Sequence, residues 1–264
     1  MLKRMIQLVY VQALQGRTKF SGIIAHKFIR PIVKFFGPQV HRYKGLSLLL
    51  TPISYIDKQI ISGLGHDDFL FEAIDKKIKT RDDTFVDIGA NFGLFSLYAS
   101  KKGTVYSFEP SVRELGLLYR NLELNGINSV TVFPIALSNK AEILKLSDGQ
   151  NGNQGGNSLV QEGNYLHDCI CRKFDSIFHQ EMYKNIRLVK INVEGFEGSV
   201  IAGMKAFLSS KFCTDIEIWV ELTPSLLEQQ GYSLKYIYDL FSANGFKSKF
   251  GLKESFQYDE CFYK

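Results

Sequence analysis

The run Thr84-Phe-Val-Asp-Ile-Gly-Ala-Asn-Phe-Gly93 constrains this chain more than any other stretch: five strand-forming positions end at a glycine, and a helical pattern begins at a second glycine four residues on. From Thr84 onward, short apolar segments alternate with longer segments of helical period. That alternation calls for a parallel sheet covered by helices on both faces. Strands are expected at Thr84–Ile88, Thr104–Phe108, Val130–Phe133, Ile186–Val193 and Asp215–Leu222. Helices are expected near Gly93–Lys101, Val112–Leu124, Gly198–Leu208 and Leu234–Asn244. Ahead of this series, helical spacing reaches to about residue 36. A strand pair around Tyr43–Leu50 with a partner near Tyr55 follows, then a helix near Asp67–Lys79. Ser147–Asn164, dense in Gly, Asn and Gln, is expected to be an exposed, mobile loop. A chain of 264 residues with 45% apolar side chains can bury a core of this size.

Charge divides the chain. Lys3, Arg4, Arg17, Lys19, Lys27, Arg30, Lys34, Arg42 and Lys44 precede the first acidic residue, Asp57, whereas the remainder is slightly acidic. Residues 1–42 therefore read as a basic helical extension and residues 43–264 as the α/β domain, with 43–80 leading into the sheet. Leu2, Met5, Ile6, Val9 and Ala13 share a helical face, as do Ile24, Phe28 and Ile32. The uncharged run Met5–Gly16 has 12 residues, short of the roughly 20 that a membrane span needs. Three readings of residues 1–40 stay open: contact with an anionic membrane surface, packing on the core, and a subunit interface in a homo-oligomer. Cys169, Cys171, Cys213 and Cys261 lack metal-site or disulfide spacing and read as reduced thiols of a cytoplasmic protein, peripheral at the inner membrane face under the first reading.

The glycine turn carries the first chemistry. Gly89 permits a sharp turn and close backbone approach, and Gly93 opens a helix whose first amides lack partners. Glu109 stands twenty positions after Gly89, at the end of the next strand, where a carboxylate can accept both hydroxyls of a ribose. A dinucleotide site requires a second glycine where this chain has Asn91, so NAD is disfavoured. Asp87 would repel a pyrophosphate but suits an ammonium or sulfonium centre.

Asp87-Ile-Gly-Ala-Asn-Phe-Gly-Leu-Phe-Ser96, Phe108-Glu-Pro110 and Lys190-Ile-Asn-Val-Glu-Gly-Phe-Glu197 together resemble the FkbM family of S-adenosylmethionine-dependent methyltransferases. The resemblance runs from about Tyr43 to Leu222 and includes Ala136-Leu-Ser138, Asn157-Ser-Leu159 and Phe174-Asp-Ser-Ile177. It implies a class I methyltransferase fold: a Rossmann-like seven-stranded α/β sheet, its last strand antiparallel, with helices on both faces. It also implies O-methylation, often of a sugar or polyketide hydroxyl, with S-adenosyl-L-methionine as cofactor. The candidate cofactor site is Asp87, Gly89, Ala90, Asn91, Gly93, Glu109, Pro110 and Ala136. By the same resemblance Asn157 and Ser158 touch cofactor or acceptor. Relatives usually carry Asp where this chain has Asn192.

On a strand, Lys190, Asn192 and Glu194 share one face, and the last two fall at its carboxyl end, where α/β sheets bind ligands. Glu194 is the first candidate for a general base or acceptor-orienting group, with Asn192 beside it. The alternatives are that Glu194 caps the following helix and that Lys190 pairs with Asp87 or Glu109. Glu221, at the end of the fifth strand, is a candidate acceptor contact. The five histidines show no HxxxH or HxH spacing, so no protein-built metal site is expected. The expected acceptor is a glycan or small-molecule hydroxyl, such as a sugar of a lipopolysaccharide or glycolipid. A nucleic-acid substrate is disfavoured because no Asn/Asp-Pro-Pro-Tyr/Phe block is present to hold a flipped base. A non-catalytic nucleoside-binding module on the same fold is the remaining alternative.

Overall fold

The computed structural model describes residues 2–14, 30–52, 54–148, 156–161, 163–253 and 255–264. The helical spacing around Ile24 and Phe28, and most of the Gly/Asn-rich stretch, lie outside them. The central sheet has seven strands in the order β11-β12-β10-β9-β3-β4-β5. These are β3 (Thr84–Ile88), β4 (Thr104–Phe108), β5 (Val130–Phe133), β9 (Ile186–Ile191), β10 (Glu217–Leu222), β11 (Lys247–Ser248) and β12 (Tyr258–Tyr263). Strands β5, β4, β3, β9 and β10 are parallel, while β12 runs antiparallel against β10 and β11.

Every residue of β3 is buried, because neighbours flank it in the sheet and helices cover it above and below. Alternation divides its side chains between two cores. Val86 and Ile88 join Val189, Ile191 and Val220 on one face; Phe85 joins Val105, Leu188 and Trp219 on the other. The helices that follow the strands are α5 (Leu94–Ala99), α6 (Val112–Leu124), α9 (Glu197–Ala202), α10 (Lys205–Ser209), α11 (Pro224–Gln229) and α12 (Leu234–Ala243). Beyond β5, a second sheet of β6 (Ala136–Leu137), β7 (Glu142–Ser147) and β8 (Tyr165–Arg172) hangs beside the cleft. The Gly/Asn-rich stretch is therefore the connection of a β7–β8 hairpin. Short helices α7 (Phe174–Ile177) and α8 (Gln180–Tyr183) lead into β9.

The leading segment is α1 (Leu2–Leu14), α2 (Arg30–Phe36), the hairpin β1 (Gln39–Tyr43) and β2 (Leu46–Leu50), then α3 (Tyr55–Ser62) and α4 (Asp68–Lys77). Tyr55 is not a strand partner, contrary to expectation. Ser54 caps α3, its hydroxyl accepting from the Asp57 amide at 3.1 Å, and β2 pairs instead with β1. Lys44 and Gly45 both have positive φ, as a two-residue hairpin turn requires. The hairpin starts at Gln39, ahead of the expected boundary at residue 43. Its core face, Leu46, Leu48 and Leu50, is buried against the sheet's helices. The free edge of β2 is satisfied by α6: Asn125 Oδ1 accepts from the Ser47 amide at 2.9 Å and Asn121 Oδ1 from the Leu49 amide at 2.7 Å. Helix α1 docks on this unit through buried Gln7, whose amide donates to the Gly37 carbonyl at 3.2 Å and whose Oε1 lies 2.9 Å from His41 Nε2. No described helix is long and apolar enough to cross a membrane.

Candidate functional site

Strand order reverses between the parallel neighbours β3 and β9, where an open α/β sheet leaves a crevice at the strands' carboxyl ends. A cleft opens there, with about 890 Å³ of empty space counting the solvent at its mouth. The turn after β3 forms its floor. Gly89 has φ +78°, and a Cβ at this position would lie 1.8 Å from the Asn192 carbonyl oxygen, so β3 and β9 close on one another only because residue 89 has no side chain. The Gly89 and Ala90 amides both donate to the Phe108 carbonyl at 3.0 Å.

Glu109 crosses from the tip of β4 to this turn. Its Oε2 accepts from the Asn91 amide at 2.8 Å and its Oε1 from the Ser111 amide at 2.9 Å. Burial pushes its carboxyl up to about 7, against the pull of those two amides. Each oxygen keeps a lone pair for a donor in the cleft, which is the geometry a ribose diol requires. Gly89, Ala90, Asn91, Glu109, Pro110, Ala136, Asn157, Asn192 and Glu194 all line the cleft.

Four other candidates stand elsewhere. Asp87 is fully buried behind the cleft: Lys190 Nζ lies 3.1 Å from Oδ1 and the Ser96 hydroxyl donates to Oδ2 at 2.6 Å. The pair is set by register, since Asp87 and Lys190 are Cα partners across β3 and β9. Lys190 also donates to the Gly89 carbonyl at 2.8 Å, so it clamps the turn from beneath and its charge is largely spent. Gly93 packs against Leu97 and Leu118 at φ +89° as the entry to α5. Ser158 is buried and fixes the backbone of Glu194, donating to its carbonyl at 2.9 Å. Glu221 sits opposite Asp259 in the β10–β12 ladder, next to the cleft.

Glu194 has φ +52°, an unusual value for a residue with a side chain. The bend it makes is held by Ser158 on one side and by Glu197 on the other. Glu197 Oε1 accepts from the amides of Val193 and Gly195 at 3.2 and 3.0 Å. Glu197, the first residue of α9, thus braces the turn ahead of its own helix, and the Glu194 carboxyl is left on the cleft wall. Burial raises its pKa, opposed by Lys190. Burial and the Glu194 charge raise Glu221 to about 7, and burial and Glu221 raise Asp259 to the same level.

His66 and Glu114 also line the cleft, and sequence pattern pointed to neither. His66 Nδ1 lies 3.0 Å from Gln59 Oε1 and Nε2 3.2 Å from Asp67 Oδ2, so both ring nitrogens are engaged and the imidazole forms wall. Burial lowers its pKa. Glu114 is buried beside Arg113, with Oε1 2.9 Å from the guanidinium. Among the described residues, no three His, Cys, Asp or Glu side chains converge as a metal site would require.

The cleft therefore presents Glu109, Glu114 and Glu194 with one lysine already paired, between apolar walls that include Phe92, Phe108, Ile135 and Leu137. That composition fits S-adenosylmethionine, an apolar purine and a diol carrying net positive charge and no phosphate.

Five parallel strands with β12 inserted antiparallel, and a cleft at the turn-and-carboxylate end, define the Rossmann-like fold of a class I methyltransferase. The Methyltransferase FkbM domain matches residues 87–248, more than half of the chain, and the protein belongs to that family. It is 28% identical over 147 residues to Methyltransferase 1 of Beauveria bassiana (strain ARSEF 2860), covering 47% of this chain and 59% of that protein. It is 34% identical over 113 residues to Methyltransferase sdnD of Sordaria araneosa, covering 41% and 43%. The chain thus spans about half the length of these curated relatives. Solved structures similar to it include Trm5b from Pyrococcus abyssi, at 14% identity and TM-score 0.45, covering 85% of this chain and 54% of that one. Another is TYW2 from M. jannaschii in complex with AdoMet, at 13% identity and TM-score 0.42, covering 86% and 84%.

Proposed function

We propose that the protein transfers a methyl group from S-adenosylmethionine to a hydroxyl, and that the hydroxyl belongs to a sugar. The observation that carries this reading is the carboxyl of Glu194, held at the cleft wall by a strained backbone and raised in pKa by burial, in the same cleft as Glu109. S-adenosylmethionine supplies a methyl carbon already activated by its sulfonium, so alignment and exclusion of water account for much of the catalysis.

Glu109 holds the ribose diol, and the apolar walls hold the purine. Glu194 accepts the acceptor hydroxyl's proton at a carboxylate oxygen, and its raised pKa brings it closer to the operating pH. Asn192, neutral where relatives usually carry Asp, donates to an acceptor oxygen without adding a second charge beside Glu194. A polyhydroxylated acceptor is supported by the composition of the adjoining wall. Glu221 and Asp259 can each accept from hydroxyl donors, and bound hydroxyls would relieve their mutual repulsion.

The test is methyl transfer from isotopically labelled S-adenosylmethionine to a panel of glycans and glycolipids, read by mass spectrometry as addition of one labelled methyl. Transfer to a sugar oxygen that Glu194→Gln abolishes is the expected result. Tight cofactor binding with no transfer to any hydroxyl would instead make the protein a binding module.

A further inference from the structure

Surface helices usually turn their polar side outward; α1 carries apolar side chains on both its buried and its exposed side. Its buried side, Gln7, Tyr10 and Val11, faces the hairpin and α3, and the opposite side carries Leu2, Met5, Leu8, Val9 and Gln12 at helical spacing. Leu2, Met5 and Leu8 are exposed, Met5 at 53%. Helix α2 repeats the arrangement. Val33 packs with Tyr10 and Ala13, while Ile32 is exposed and Phe35 is 86% exposed. Apolar side chains of this size, clustered on two packed helices and left to solvent, mark a surface that meets an apolar partner.

The charge around them narrows the partner. No acidic residue occurs before Asp57, and nine basic residues do. Among the described residues, Lys3, Arg4 and Arg42 have no carboxylate partner. Lys3 and Arg4 flank the apolar stripe at its start: Lys3 lies 5.2 Å over the Phe36 ring, and Arg4 lines a surface groove with Met5, Leu8, His41 and Ile61. Two copies meeting through this face would bring like charges together, and a nucleic acid has no use for Met5, Ile32 and Phe35. A bilayer with anionic headgroups satisfies both features at once, through apolar insertion and basic headgroup contact.

We propose that α1 and α2 form a peripheral docking surface for anionic phospholipid membranes. The surface adjoins the active site. Helix α1 packs on α3, and Ile56 of α3 lines the cleft, so docking sets the cleft close to the headgroup layer.

The experiment is sedimentation of the full-length protein with vesicles of equal parts phosphatidylglycerol and phosphatidylcholine, against vesicles of phosphatidylcholine alone. Binding is expected only to the anionic vesicles, and to weaken as salt is raised. Two paired variants at exposed positions separate the contributions: Lys3→Gln with Arg4→Gln, and Met5→Ser with Phe35→Ser. Each pair is expected to weaken binding by about tenfold or more, while circular dichroism and S-adenosylmethionine affinity stay at wild-type values. Equal binding to both vesicle types, or binding unmoved by either pair, overturns the proposal. So does absence of binding together with a dimer in sedimentation velocity that Met5→Ser with Phe35→Ser dissociates, which would assign the face to a second copy. Absence of binding by a monomer overturns it equally.

Discussion

Two carboxylates at the cleft do different work because their surroundings differ. Glu109 is held by two backbone amides, and in the proposed reaction it accepts hydrogen bonds from the nucleoside. Replacing it by Gln keeps one acceptor but turns the other oxygen into a donor that clashes with an amide. Glu109→Gln is expected to weaken S-adenosylmethionine binding by about 1–3 kcal/mol, the range for losing a charged hydrogen-bond partner in a buried site. Titration calorimetry checks this, and an unchanged affinity would take Glu109 out of the ribose site. In the proposed reaction Glu194 serves the acceptor, so Glu194→Gln should leave cofactor affinity intact and lower kcat by roughly 10²- to 10⁴-fold, the usual contribution of a general base. If KM rises while kcat holds, Glu194 binds the acceptor and takes no proton.

At the scale of elements, Asn121 ties the hairpin to the cofactor turn. It is wholly buried on α6, its Oδ1 accepting from Leu49 of β2 and its Nδ2 donating to the Phe92 carbonyl at 2.9 Å. Asn121→Ala leaves the buried Phe92 carbonyl and the half-buried Leu49 amide unpaired, and each such group costs about 1–3 kcal/mol. Urea denaturation is expected to show a loss of about 2–4 kcal/mol, accompanied by weaker cofactor binding because Phe92 lies in the cleft floor. A stable variant with wild-type affinity would show that the hairpin does not support the turn. Long-range ties of this kind explain which parts of the fold are legible in the chain. Strands β3, β4 and β5 are read with their observed bounds: β3 is buried on both faces and leaves a near-continuous apolar run, while the partly buried β4 and β5 are short runs of β-branched and aromatic residues. Strand β12 is hidden: its Glu260 is fully buried, accepting from the Tyr238 and Ser248 hydroxyls and from the amides of Lys249, Phe250 and Cys261, whereas a lone glutamate in a sequence reads as surface. Strands β7 and β8 are hidden for the opposite reason, being half-exposed, with Ile143 and Ile170 facing solvent. In the site, Gly89, Glu109 and Glu194 are legible from local pattern. The destination of Asp87 depends on which residue of β9 lies opposite, and no local pattern encodes that register.

At the scale of the whole molecule, buried acid side chains, Glu109 of the cleft among them, make stability depend on pH. Asp57, Glu109, Glu197, Glu221 and Asp259 are each raised to about 7, from 3.8 for the aspartates and 4.5 for the glutamates, with burial as the first cause in every case. The folded chain therefore keeps protons that the unfolded chain releases between about pH 4 and 7. Where the native state binds more protons, stability falls as pH rises. The unliganded protein is expected to melt highest near pH 5 and roughly 5 °C or more lower at pH 8, with most of the loss before pH 7. A cationic ligand reverses the local preference at Glu109, because its charge and diol favour the ionised carboxylate. Binding of S-adenosylmethionine should consequently release protons near pH 6.5 and tighten between pH 6 and 8. Calorimetry in two buffers of different ionisation enthalpy measures that release directly. Removing one titrating group away from the ribose site, as in Glu221→Gln, should flatten the melting profile without changing the proton release on binding. A melting temperature that is level or rising from pH 5 to 8 would mean that these carboxyls ionise in their ordinary range, and that water reaches the cleft more freely than its packing indicates.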